Sequence, residues 1–144
     1  MQERTITDIL KNKKQMIRNI AEKRRHIYED LRFLEKQMTA ANEQGEQETY
    51  GCEIKQQIGR MQDTLGELKR EECRILMVWE AFYKLDHAMF ELMNRLYVRK
   101  ETWYTVESEL HVSHEYVKAK RKEALGIIRE ALEQGEDRYH LGRP

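Results

Sequence analysis

Proline is almost missing from this sequence: the one proline is Pro144, and glycine occurs only seven times in 144 residues. With no internal proline, no amide donor is lost and no φ is locked along the chain, so long uninterrupted helices are allowed. Glu, Lys, Arg, Gln and Leu are abundant, and all are good helix formers. The expectation is an all-α protein.

Cysteine is scarce too, with only Cys52 and Cys73. If both stand on one helix, their separation of roughly 31 Å along the axis is too great for a disulfide. No metal-ligand spacing surrounds them, which fits incidental thiols in a reducing compartment. No apolar run approaches membrane-spanning length, and no signal-peptide pattern opens the chain, so a soluble cytoplasmic protein with no membrane partner is expected.

Net charge is absent as well, since 26 basic residues balance 26 acidic ones. The distribution is more informative than the total. Residues 1–42 carry ten basic and six acidic side chains, residues 43–84 six and nine, and residues 85–144 ten and eleven. Within 113–122, Lys118, Lys120, Arg121 and Lys122 outweigh Glu115 by three charges. Such a local excess suits phosphate.

What the chain does have is heptad periodicity. Ile6, Leu10, Lys13, Ile17, Ile20, Arg24, Ile27, Leu31, Leu34 and Met38 alternate steps of four and three. Ile54, Ile58, Met61, Leu65, Leu68, Glu72, Ile75, Trp79 and Phe82 do the same. Between them, "ANEQGEQETYGC" has two glycines and no apolar period. The spacing predicts helices over about 6–42 and 53–84 with a loop at 43–52. Folded back antiparallel, the two seams match layer by layer, and a buried Arg24–Glu72 pair would fix their register. Two helices that pair between chains fit the pattern equally, so a homo-oligomer through the coiled coil is an expectation too. Thr5 or Thr7 is the expected cap of the first helix. Gly59 and Gly66 weaken the second and allow a close neighbour.

Beyond residue 84 the heptad stops. Leu85, Met89, Leu92, Met93 and Leu96 lie on one helical face, with Asp86 as N-cap. Thr102 is placed to cap a short helix with Trp103, Val106 and Leu110 inward. Ser113 caps the next, with Val117, Ala124, Leu125, Ile128 and Leu132 inward. A short helix, a tight turn and a longer basic helix make the layout of a helix-turn-helix, over 85–135. Gly135 is expected to end the last helix, leaving 136–144 as a tail.

"TWYTVESELHVSHEYVKAKRKEALGIIR" (102–129) resembles the helix-turn-helix of sigma-factor region 4. Val106, Ser108, Leu110, Val112, Ser113, Val117, Ala124, Leu125 and Arg129 occupy that family's characteristic places. "RLYVRK" resembles the end of its preceding helix. Two positions depart: His111 stands where glycine is usual, and Lys120 where an inward apolar residue is usual. A coiled-coil start followed by a region 4-like end is similar to phage late-gene regulators of the RinA and ArpU type. Nothing resembles the sigma segment that binds the −10 element.

The resemblance implies a transcription regulator of phage or prophage genes in a bacterial host cell, an activator that binds double-stranded DNA and acts with RNA polymerase. The candidate DNA-binding residues are Thr102, Ser113, His114, Glu115, Tyr116, Lys118, Arg121 and Lys122. The start of a recognition helix meets base edges. Glu115 accepts from cytosine N4, His114 donates or accepts, and Thr102 and Ser113 reach phosphate through hydroxyl or amide groups. By the same resemblance, Glu115 matches a base-reading glutamate, and His114 replaces an arginine. A metal site at His111 and His114, with Glu109, Glu115 or His140, is disfavoured because a turn separates the two histidines. No catalytic triad, phosphate loop or carboxylate pair stands out, so neither an enzyme nor a cofactor is expected. Two other readings stay open. One is a small terminase-like subunit that recognises packaging DNA, and the other is a coiled-coil adaptor without DNA binding.

Overall fold

A computed structural model describes residues 1–43 and 48–139. Among these residues the protein is all-α, with helices α1 (Glu3–Glu43), α2 (Glu48–Tyr83), α3 (His87–Met93), α4 (Trp103–Leu110) and α5 (His114–Tyr139). A π-helical turn, Asn94–Val98, continues α3. No described helix is long and apolar enough to cross a membrane.

The two long helices start earlier than their apolar patterns. α1 is helical from Glu3, and Ile6 N–H donates to Gln2 O at 3.2 Å, so neither Thr5 nor Thr7 is a cap. Thr7 lies inside the helix, and its hydroxyl donates back to Arg4 O at 3.0 Å. At the other end, the expected loop at 43–52 is too long, because residues 48–52 are the first turn of α2. Residues 44–47 lie outside the described residues. Polar helix formers carry a helix past its hydrophobic stripe, where a periodicity reading loses its signal.

The contacts divide the chain into two compact units: residues 15–72, and residues 1–14 with 73–144. The expected boundary at 84/85 falls inside the second. At Asn12 the backbone leaves helical geometry (φ −127°, ψ 23°), close to where α1 passes from one unit to the other.

In the unit of residues 15–72 the seams pair within the chain. Ile20, Leu31, Leu34, Ile54 and Leu68 are buried, all at the expected heptad positions. Arg24 donates to Glu72 at 3.1 Å, but both side chains keep about 30% of their surface. The pair is thus half-exposed rather than buried, and its contribution is that of a screened surface bridge. A Cβ at Gly59 would meet nothing within 4 Å, and one at Gly66 only Arg70 at 3.7 Å. Neither glycine is required by packing inside the chain.

The other unit builds its core from both ends of the sequence. Ile6, Ile9 and Leu10 of α1 and Ile75, Val78, Trp79 and Phe82 of α2 are buried. So are Leu85, Met89, Leu92, Met93, Leu96 and Tyr97, together with Val106, Val117, Ala124, Leu125, Ile128 and Leu132. Trp79 Nε1–H donates to Ile9 O at 3.4 Å, which ties the two long helices. Phe82 packs on Phe90 at a centroid distance of 4.7 Å. Asp86 caps α3 as expected, accepting from Met89 N–H at 2.9 Å. Gly135 does not end α5, which runs on to Tyr139. A Cβ at Gly135 would meet the terminal methyl of the flexible Met77 side chain, which would have to shift aside. Residues 140–144 of the expected tail, His140 included, lie outside the described residues.

Candidate nucleic-acid interface

The site is built around the turn between α4 and α5. Thr102 starts α4, its Oγ1 accepting from Thr105 N–H at 3.1 Å. The helix ends at His111, which adopts φ 55°, ψ 46° in the left-handed region. Val112 N–H then closes back on Glu107 O at 3.1 Å, the hydrogen bond that marks a Schellman ending. This is the position where a glycine would be unstrained, and histidine bears the steric cost of its Cβ. Replacing His111 with glycine should therefore stabilise the fold by about 0.5–1 kcal/mol, less the added freedom of the unfolded chain. A urea titration reads this directly. A lower midpoint would mean that the imidazole makes a contact worth more than the strain.

Ser113 opens α5. Its Oγ accepts from Tyr116 N–H at 3.1 Å, and its carbonyl from Val117 N–H at 3.2 Å. His114 follows, with Nδ1 at 2.7 Å from Glu107 Oε1 and its ring 5.3 Å from that of Trp103. Glu107 thus holds the turn through its carbonyl and the first residue of α5 through its side chain. A carboxylate on Nδ1 selects the tautomer with its proton there, so a neutral His114 presents Nε2 outward as an acceptor.

Along α5, His114, Glu115, Lys118 and Lys122 are all exposed, and 100° per residue sets them within about 100° of one another. Ala119 extends the same surface with a side chain too small to obstruct it. Tyr116 is exposed but falls on another side of the helix. Val117, Ala124, Leu125 and Ile128 are completely buried along the stripe that flanks this arc, and they fix which charges face out.

Arg121 is different. It is half-buried, its Nε–H donates to Tyr97 Oη, and its guanidinium stands 6.0 Å from the centre of the Trp103 ring and 3.8 Å from Glu3. It is therefore engaged within the protein, at the inner edge of the exposed arc. Lys120, the basic residue that the pattern sets inward, instead lies at the border with 31% of its side chain exposed, bridging Glu123 at 3.4 Å. The two side chains are similarly exposed, and what sets Arg121 apart is a phenol and a carboxylate from other parts of the chain that satisfy it.

Trp103 is half-buried between His114 and Arg121, not a core residue as its helical position implies. α4 has only two turns, and its first residue extends past the packed centre at Val106. Sequence reasoning passed over Glu107 and gave Tyr97 only a core place, and their partners lie 7 and 24 residues away. Tyr104, which its helical spacing also sets in the core, is instead 78% exposed next to the cap of α4, the most exposed large aromatic residue among the described ones.

Behind the turn, Arg95 gathers Glu109, Glu101 and Glu91, the last two at 3.4 Å. Donating a hydrogen bond to Glu109 raises the guanidinium pKa against the opposing effect of burial. The cluster joins the π-helical turn to α4. Searches of family models, curated proteins and solved structures give no match to this chain.

Proposed function

We propose that the protein binds double-stranded DNA sequence-specifically as a transcription regulator, with α4 and α5 acting as a helix-turn-helix and α5 entering the major groove. The observation that carries this reading is the joint at 111–113. A left-handed residue, a Schellman closure and a serine cap set a short helix against a longer one. The longer helix exposes His114, Glu115, Lys118 and Lys122 on one arc beginning at its first turn. An α-helix about 10–12 Å across fits a major groove about 12 Å wide, and its first turns reach base edges.

The roles divide by chemistry. Glu115 accepts from the cytosine N4 amino group. His114, with Nδ1 held by Glu107, meets a base edge through Nε2. Lys118 and Lys122 bind phosphate, as do Ser113 through its hydroxyl and Thr102 at the start of α4. Tyr116 and Tyr104 reach the flanking backbone. Arg121 positions α5 and contributes charge at the margin. Activation of phage or prophage genes together with RNA polymerase extends the resemblance to RinA and ArpU type regulators, and the paired long helices supply a surface for polymerase or for a second copy.

Retardation gels at several salt concentrations, on fragments of the genome of origin, test the reading. Binding that weakens steeply with salt is expected. Changing Glu115 to alanine should alter sequence preference, whereas changing Lys122 to alanine should weaken all sequences alike. Equal uniform losses from both would show the roles to be misassigned. A complete lack of salt-dependent binding would favour a coiled-coil adaptor, and assembly into rings on packaging DNA would favour a terminase-like subunit.

A further inference from the structure

We infer that Lys11 of α1 contacts a DNA phosphate, so that the start of the first long helix forms one nucleic-acid surface with the start of α5. The inference rests on the function proposed above, and it gives α1 a role that its heptad pattern does not suggest.

The ring of Tyr97 carries the argument. Lys11 Nζ lies 5.6 Å from its centroid, and the Arg121 guanidinium carbon lies 5.8 Å from the same centroid. Taken through that point, the two cationic groups are no more than about 11 Å apart, the sum of the two distances. Arg121 is one turn from Lys118 and adjacent to Lys122, both on the exposed arc of α5. Lys11 therefore brings a further charge to the flank of that arc, from a different helix.

Glu3 supports the placement. It lies 3.8 Å from Arg121 and 3.6 Å from Arg129, so the first turn of α1 runs beside two turns of α5. Pairing with these arginines also neutralises one of only two acidic residues in 1–14, against four basic ones; Asp8 is the other. Arg4, one heptad before Lys11 on the same line of α1, is exposed as well. Lys13 is set apart, half-buried with its ammonium 4.7 Å from the centre of the Trp79 ring. Lys11 is exposed, and a cation over a ring at the surface is oriented rather than sequestered. Thr102 and Ser113 hold phosphate from the α4 side of α5, and Lys11 holds it from the α1 side.

A phosphate contact does not depend on sequence, so a mixed-sequence duplex of about three helical turns suffices as the probe. Fluorescence anisotropy of the full chain would be recorded between 50 and 200 mM salt, roughly the range over which counterion release dominates. One lost contact changes the slope of log K against log salt by about 0.9. Lys11→Ala should therefore weaken binding about 15-fold at the low end and about fourfold at the high end. Arg4→Ala combined with it should add to the loss. Lys36→Ala, an exposed lysine in the unit of residues 15–72, controls for general charge and should leave the slope unchanged. Thermal melts of the variants, read by circular dichroism, should match the wild type. Unchanged affinity and slope in Lys11→Ala, with wild-type binding intact, overturns this inference alone. So does an equal loss in Lys36→Ala, or a loss that tracks a lowered melting temperature. No salt-dependent binding by the wild type overturns both this inference and the function it rests on.

Discussion

Replacing Phe82 with alanine is expected to remove about 3–5 kcal/mol of stability, the cost of deleting a buried aromatic side chain. Phe82 is 1% exposed and meets Trp79 edge-on at 5.3 Å, Tyr83 at 5.5 Å and Phe90 at 4.7 Å. Its loss empties the place where the end of α2 meets the start of α3. Trp79 would lose the neighbour that holds its indole toward Ile9 O. For a domain whose total stability is about 5–15 kcal/mol, the unit of residues 1–14 and 73–144 would be left barely folded. Urea unfolding followed by tryptophan fluorescence measures this, since Trp79 and Trp103 both belong to that unit. Tyr83→Ala is the comparison. Tyr83 touches the same rings but is 62% exposed, so its removal should cost less than about 1 kcal/mol. Similar losses from the two variants would show that burial is not what distinguishes them.

The largest functional effect is expected from reversing two charges together, Lys118→Glu with Lys122→Glu. Both side chains are exposed on the arc that begins at His114, so the folded state should change by no more than about 0.5 kcal/mol. Two lost phosphate contacts weaken binding by about 200-fold at 50 mM salt, and the added repulsion increases that loss. The salt slope should flatten by about two units. Retention of wild-type affinity would remove α5 as the reading helix and move the DNA contacts to another surface of the chain. Loss of binding without loss of stability is the result that an adaptor does not explain.

Periodicity made the helices legible because it reports only which face of an element is apolar. The heptad positions Ile20, Leu31, Leu34, Ile54 and Leu68 are buried as expected. The inward sets at 85–96 and 117–132 follow the same rule. Local capping was legible for a similar reason, since Asp86, Thr102 and Ser113 each bond an amide three residues on. His111 stood out by being the wrong residue in a place that asks for a positive φ, and it has one. Helix ends were read less well. Thr7, residues 48–52 and Gly135 all lie inside helices, because polar helix formers and a tolerated glycine leave no mark in an apolar pattern.

The sequence alone determined that this chain is helical, where its apolar faces run and where its short helices are capped, because each of these is settled by residues within about four positions of one another. Tertiary structure alone decided the fate of individual charges and rings. Arg121 finds partners in Tyr97 and Glu3 whereas Lys120 finds only nearby Glu123, Trp103 sits beside His114 rather than in the core, and Glu107 pairs with Nδ1 of His114. It also decided that residues 1–14 join the C-terminal helices instead of the rest of the coiled coil, which is what sets Lys11 beside Arg121. Those outcomes depend on partners distant in the chain, and spacing along a sequence carries no record of which distant side chain will satisfy a half-buried cation.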